Sequence, residues 1–377
     1  MRLLPLLLLP VLGAVSLPAT CPTTLAPHAR PAADNLSLIK LPAGFHISYY
    51  AQGVAGAREL AAGPDGTVYV GSKEQGKVYA LPDRNRDGRA DEVITLATGL
   101  NSPNGVALHN GALYVAEINR ITRYDNIASN LRKPPKPVVV TAQLPDKDWH
   151  GWRFIAFGPD GMLYVPVGAP CNSCVPEKPI FGTINRLRNN KIENFATGVR
   201  NTVGFDWHPV TKEMWFTDNG RDMLGDDKPA DELNRAPKAG LNFGFPYFFA
   251  GDVPDPELSA GKSASNYTKP ARKLGPHVAA LGLKFYTGKQ FPAQYRNQIF
   301  IPEHGSWNRS QKIGCRLTLV KLDPTGRQAL SYETFADGWL QGQQSWGRPV
   351  CLLVLADGSL LVSDDQNDAV YRISYKG

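Results

Sequence analysis

The chain has 377 residues, with 41 Lys and Arg against 34 Asp and Glu and a formal net charge of +7. Its basic residues are scattered, with no run of five or more and no stripe interleaved with aromatics, which argues against a nucleic-acid groove. Gly (36) and Pro (31) are abundant, as many short strands joined by turns require.

In chain order, residues 1–20 read as an export signal. Arg2 is followed by an apolar core from Leu3 to Leu12, too short to span a bilayer, and then by the small residues Gly13, Ala14, Ser16 and Ala19. Cys21 comes next and is a candidate lipid anchor, the one membrane link expected. Residues 21–37 read as a flexible leader and 38–377 as a single domain.

That domain repeats one loose pattern six times: an apolar strand, a turn, an aromatic-rich strand and a short third strand. The first copy runs Glu59–Ala62, a Gly63-Pro64-Asp65-Gly66 turn, Val68–Val70 and Lys77–Leu81. Later copies begin at Gly105, Arg153, Val203, Leu283 and Cys351. A small antiparallel sheet cannot bury both faces alone, and stacking six around an axis covers them. The expected fold is an all-β, six-bladed β-propeller with long loops on its top face; a β-sandwich is the alternative. Phe45–Tyr50 is a spare strand, expected to close the ring as the outer strand of the last blade. Segments 125–150, 168–197, 218–280 and 302–314 read as long inserts walling a pocket on one face.

Five cysteines are present. Cys171 and Cys174 form a CxxC pair; Val175 stands where haem attachment needs His, and no second pair suits zinc, so a structural disulfide is expected. Cys315 and Cys351 each lie near a strand and are expected to pair in an oxidising compartment.

Chemistry-bearing residues gather at blade entrances. His150, between Trp149 and Trp152, is a candidate general base before the third copy. Arg200 and Asn201 occupy the equivalent place before the fourth, and Arg348 before the last. Glu303-His304-Gly305-Ser306-Trp307-Asn308-Arg309 adds a further cation. Several guanidinium groups near one axis suit an acidic, flat cofactor, and pyrroloquinoline quinone (PQQ), with three carboxylates, answers that description. Two stretches are candidates for calcium: the acidic run from Thr217 through Asp222 to Asn234, and Asp83, Asn85, Asp87 and Asp91, spaced as D-x-N-x-D-G-x-x-D.

At these residues the chain resembles the soluble quinoprotein sugar dehydrogenases, in particular the sorbosone-dehydrogenase-like group. The resemblance spans roughly residues 38–375 and is carried by Trp149–Phe157, Phe195–Asn201, Asp231–Pro246, His304–Arg309 and Gly347-Arg348-Pro349. It implies a PQQ- and calcium-dependent enzyme that oxidises an aldose at C1, or the hydrated aldehyde of a sugar such as sorbosone. It assigns His150 as the base that takes the C1 hydroxyl proton, and Arg200 as the stabiliser of the reduced quinone. The carbonyls of Gly220 and Arg221 match the calcium ligands, while Asn201, Arg309, Arg348 and Trp149 match the cofactor's surroundings. An external acceptor, a quinone or a cytochrome, would take the electrons. Two positions depart from the best-known members: Trp149 replaces an acidic residue, and Arg221 a proline. The runner-up readings are a non-catalytic binding propeller and a metal-dependent lactonase-type hydrolase.

Overall fold

Six blades of four antiparallel strands follow one another along the chain, the third extended by a short parallel fifth strand, Leu241–Asn242. The computed structural model describes residues 35–189 and 191–377. The export signal, Cys21 and the leader up to residue 34 lie outside the described residues. Leu36–Gly377 makes one compact unit.

Blade one is Leu60–Ala62, Val68–Val70, Val78–Leu81 and Ile94–Ala97; blade two is Gly105–His109, Ala112–Ala116, Ile121–Tyr124 and Val138–Thr141. Blade three is Ala156–Phe157, Leu163–Val167, Thr183–Arg188 and Lys191–Thr197; blade four is Phe205–Trp207, Met214–Asp218, Ala230–Ala236 and Arg272–Pro276. Blade five is Lys284–Phe285, Ile299–Glu303, Arg316–Val320 and Glu333–Ala336. Blade six takes Pro349–Val354, Leu360–Asp364 and Ala369–Tyr375 from the end of the chain and Phe45–Gln52 from its start. That closing pair runs antiparallel from Phe45 opposite Tyr375 to Gln52 opposite Ala369, as the spare strand led one to expect. Phe45 locks it, edge-on to Phe291, Tyr295, Phe335 and Tyr375 at centroid distances of 4.7 to 5.3 Å.

The second strands of blades one, three, four, five and six are wholly buried, because each is covered on both faces by the neighbouring blades. They therefore read as continuous apolar runs. The outermost strands are half exposed, as in Glu333–Ala336 and Lys191–Thr197, and carry mixed polar sequence. This corrects the reading of segments 125–150, 168–197 and 218–280 as inserts alone: each hides an outer strand. Asp231-Glu232-Leu233-Asn234, read as the end of an acidic run that could hold calcium, is the third strand of blade four and is buried.

The expected Cys315–Cys351 disulfide does not form. Both thiols are free and buried, and they pack in different core clusters. Cys315 Sγ donates instead to the His304 carbonyl at 3.3 Å. The Cys171–Cys174 disulfide is present.

Candidate active site

First strands of consecutive blades touch around the ring, from Leu60–Ala62 to Gly105–His109 and on to Ala156–Phe157, and again from Phe205–Trp207 through Lys284–Phe285 to Pro349–Val354. In an up-and-down blade the chain enters the first strand and leaves the second at the same edge. Residues just before first strands and just after second strands therefore collect on one side of the axis. A cavity of about 520 Å³ lies there. Five of the six entrances reach it, through Arg58, His150, Arg200, Leu281 and Arg348. Second-strand exits add Lys73, Asn219, Gly220 and His304.

A recurring device holds the entrances in place. A carboxylate at the end of a second strand accepts backbone N–H groups from the entrance of its own blade. Asp218 takes Arg200 N at 2.8 Å and Asn201 N at 2.7 Å. Asp364 takes Arg348 N at 2.9 Å, and Glu117 takes Asn101 N at 2.8 Å. Glu59 works between blades, accepting Val106 N and Ile155 N, each at 3.1 Å.

His150 sits at φ 50°, a left-handed conformation that turns its ring inward. Its Nδ1 lies 2.9 Å from the Ala169 carbonyl. A carbonyl only accepts, so Nδ1 carries the proton and Nε2 is left as the basic nitrogen. Burial, reinforced by the positive charge of Arg200, pushes its pKa down to about 3. Ala169 also ties the two functional residues together, its N–H donating to the Arg200 carbonyl at 2.8 Å. Gly168 permits this approach: a Cβ there would stand 2.5 Å from His150 Cβ. Beneath the loop, fully buried Arg153 donates to the carbonyls of His150, Ile118 and Pro145 at 3.0 to 3.2 Å.

Arg200 is buried, with its side chain 3% exposed, and pairs with Asp222 at 2.8 Å. Across the cavity, Arg348 donates to the carbonyls of His304 and Gly305 at 2.8 and 2.7 Å. His304 Nε2 faces Asp365 at 2.8 Å, and Asp365 pairs with Arg58 at 2.8 Å. Burial pushes the His304 pKa down to about 4 despite that carboxylate. Lys73 lies 4.4 Å above the Trp152 ring. Trp149 and Trp307 line the same cavity and remain well exposed, at 52% and 64%.

Trp149, His150, Arg200, Asn201, Gly220 and Arg348 thus meet in one cavity. Arg309 does not line it. Its guanidinium binds the Asp226 carbonyl and faces Asp227 at 3.5 Å. Arg221 turns its side chain to Asp255 and Glu257, away from the cavity. Asp83, Asn85, Asp87 and Asp91 lie in the turn between the third and fourth strands of blade one, where Asp87 N donates to both Asp83 Oδ1 and Asn85 Oδ1, at 3.2 and 3.1 Å. Backbone N–H groups take their oxygens, as in Gly88 N to Asp83 at 3.0 Å, and Arg84 takes Asp91. Among the described residues no group of three or more His, Cys, Asp or Glu side chains forms a metal centre. Arg58 and Lys73 were missed from sequence. Arg58 was findable, because it stands before the first strand of its copy as Arg200 and Arg348 do before theirs.

Burial raises the carboxyl pKa of Asp231 to about 7 and pushes Asp218 and Glu232 up as well. A carboxyl raised in the fold stabilises it at low pH and loses that contribution as pH climbs through the folded value. The depressed histidines act oppositely: their contribution is complete above 6.5 and fades as pH falls toward about 3 to 4. Above pH 6.5 the carboxyls impose the larger slope. The cofactor-free protein is therefore expected to lose on the order of 1–3 kcal/mol between pH 6.5 and 8.5. Denaturant titrations at the two pH values check this, and a flat or rising stability contradicts it.

Fold and cavity together define the class: a six-bladed β-propeller with one axial site built from blade entrances. The chain belongs to the TrAA12-like family, which matches residues 185–376. An uncharacterised protein of Borreliella burgdorferi is 33% identical over 361 residues, covering 92% of this chain and 93% of that protein. The calcium structure of the carbohydrate-active family AA12 protein of Trichoderma reesei superposes with a TM-score of 0.76 at 19% identity, over 90% of this chain and 97% of that one. The holo PQQ domain of pyranose dehydrogenase from Coprinopsis cinerea gives 0.74 at 18% identity, over 89% and 97%.

Proposed function

We propose that this protein oxidises the C1 hydroxyl of an aldose, or the hydrated aldehyde of a sugar such as sorbosone, with PQQ and calcium held in the axial cavity. One observation carries the reading: a neutral histidine, its tautomer set by Ala169, shares a cavity of about 520 Å³ with the cations Arg58, Lys73, Arg200 and Arg348. Four cations fit a flat ligand with three carboxylates better than they fit a neutral sugar alone. The calcium structure and the holo PQQ domain named above support the choice of cofactors.

Bound there, PQQ supplies the hydride acceptor and calcium a Lewis acid. The residues of the chain do the rest. His150 Nε2 accepts the proton of the C1 hydroxyl. Arg200, always protonated, stabilises negative charge that develops beside it. Arg58, Lys73 and Arg348 balance carboxylates, and Asn201 offers a hydrogen bond. Trp149, Trp152 and Trp307 give flat apolar walls on which a pyranose stacks and which exclude water. The Gly220 and Arg221 carbonyls are the candidate calcium ligands; a carbonyl ligand does not depend on the direction of the Arg221 side chain. Export to an oxidising compartment fits the Cys171–Cys174 disulfide.

Adding PQQ and calcium to purified apoprotein and following reduction of an artificial dye with a panel of aldoses tests this. Turnover that needs both additions is expected. PQQ binding without turnover on any aldose would favour the binding-propeller reading, and no PQQ binding would remove the proposal.

A further inference from the structure

The short loop after the second strand of blade three is a four-residue ring, closed by the disulfide between Cys171 and Cys174 at a sequence separation of 3. Within it, Asn172 makes an unusual number of directed bonds. Its backbone carbonyl accepts Arg200 Nε at 2.9 Å, and its Oδ1 accepts Arg200 Nη2 at 2.8 Å. The same Oδ1 accepts Asp222 N at 2.9 Å, while Nδ2 donates back to the Asp222 carbonyl at 3.1 Å. Asp222 in turn holds Arg200 Nη2 through its carboxylate at 2.8 Å. Ser173, next in the ring, donates to buried Asp255 at 2.6 Å, so the ring is tethered on its far side as well.

A guanidinium has five N–H groups. In Arg200 the Nε proton and both Nη2 protons are taken, and one Nη1 proton goes to the Asn219 carbonyl at 3.2 Å. One N–H, on Nη1, is left for anything in the cavity. A long side chain with many rotamers would otherwise spread its charge over several orientations.

We infer that Asn172, presented by the Cys171–Cys174 ring, is the positioning residue of Arg200, holding its guanidinium so that a single N–H on Nη1 faces the ligand. The consequence for turnover rests on the function proposed above; the positioning itself does not.

Two readouts separate these. The first uses full-length, cofactor-free protein with ¹⁵N-labelled arginine, in which the Arg200 Nη2–H signal, the one bonded to Asn172 Oδ1, is assigned by its loss in Arg200→Lys. Its hydrogen exchange is expected to be slow in the native protein and about tenfold or more faster in Asn172→Ala, the scale of one charge-assisted hydrogen bond. Asn172→Asp keeps the acceptor oxygens and is expected to restore most of the protection. Cys171→Ser with Cys174→Ser is expected to lose protection too, because the Asn172 side chain is no longer held in place. If Asn172→Ala does not fold, Asn172→Ser serves in its place.

The second readout is kinetic, on PQQ- and calcium-loaded enzyme. Asn172→Ala is expected to lower kcat about tenfold with the sugar KM nearly unchanged, and Asn172→Asp to recover part of it. Unaltered Nη2–H exchange in Asn172→Ala overturns the inference whatever the kinetics. Faster exchange in a protein that never binds PQQ upholds the positioning and counts against the proposed function alone.

Discussion

Replacing His150 by asparagine is expected to lower kcat about a thousandfold while changing PQQ affinity only a few-fold, the loss typical of a removed general base. Asparagine is the informative choice. Residue 150 lies at φ 50°, and asparagine tolerates that region far better than most side chains. Its amide N–H can still donate toward the Ala169 carbonyl, and Arg153 still holds the loop through the residue 150 carbonyl. What disappears is the basic Nε2. His150→Ala should be as inactive but less stable, since alanine adds strain at positive φ. The native protein should also show no acid limb near pH 6.5 from this residue, because burial and Arg200 push its pKa down to about 3. Steady-state kinetics with a dye acceptor decide: equal turnover in His150→Asn would refute the role of base.

Replacing Arg200 by lysine is expected to reduce kcat by about a hundredfold and to lower stability together with it. The charge is conserved, so a purely electrostatic role would survive. The fork is not. An ammonium cannot reach both oxygens of Asn172 and the Asn219 carbonyl at 2.8 to 3.2 Å at once, so buried acceptors lose partners. Asp222 would keep only a looser ion pair where it now binds at 2.8 Å. Kinetics of the loaded enzyme and thermal melting of the apoprotein measure both effects. A lysine variant with native kcat would show that charge alone suffices.

The propeller was legible because a blade's second strand is covered on both faces. Runs such as Leu163–Val167 and Met214–Asp218 are buried throughout and stand out as apolar sequence. The outer strands were not legible. Lys191–Thr197 is half exposed and polar, and it disappeared into what looked like an insert. A different limit hid the acidic strand Ala230–Ala236, where buried Asp231 and Glu232 accept long-range bonds from the Ala279 and Ala250 N–H groups that no local pattern reveals. Arg348 and Arg200 were legible from their register before a first strand. Arg309 was not: it is one residue past Asn308, which lines the cavity, and it follows the Asp226 loop instead. The free pair Cys315 and Cys351 shows that counting cysteines does not say which core each one enters.

The most direct measurement is a crystal structure of the protein soaked with PQQ, calcium and an aldose. The account predicts the quinone in the axial cavity, its carboxylates against Arg58, Lys73 or Arg348, Arg200 Nη1 at one of its oxygens, and the sugar C1 hydroxyl within hydrogen-bond reach of His150 Nε2. PQQ bound elsewhere on the propeller, or a sugar whose C1 hydroxyl points away from His150, would contradict it.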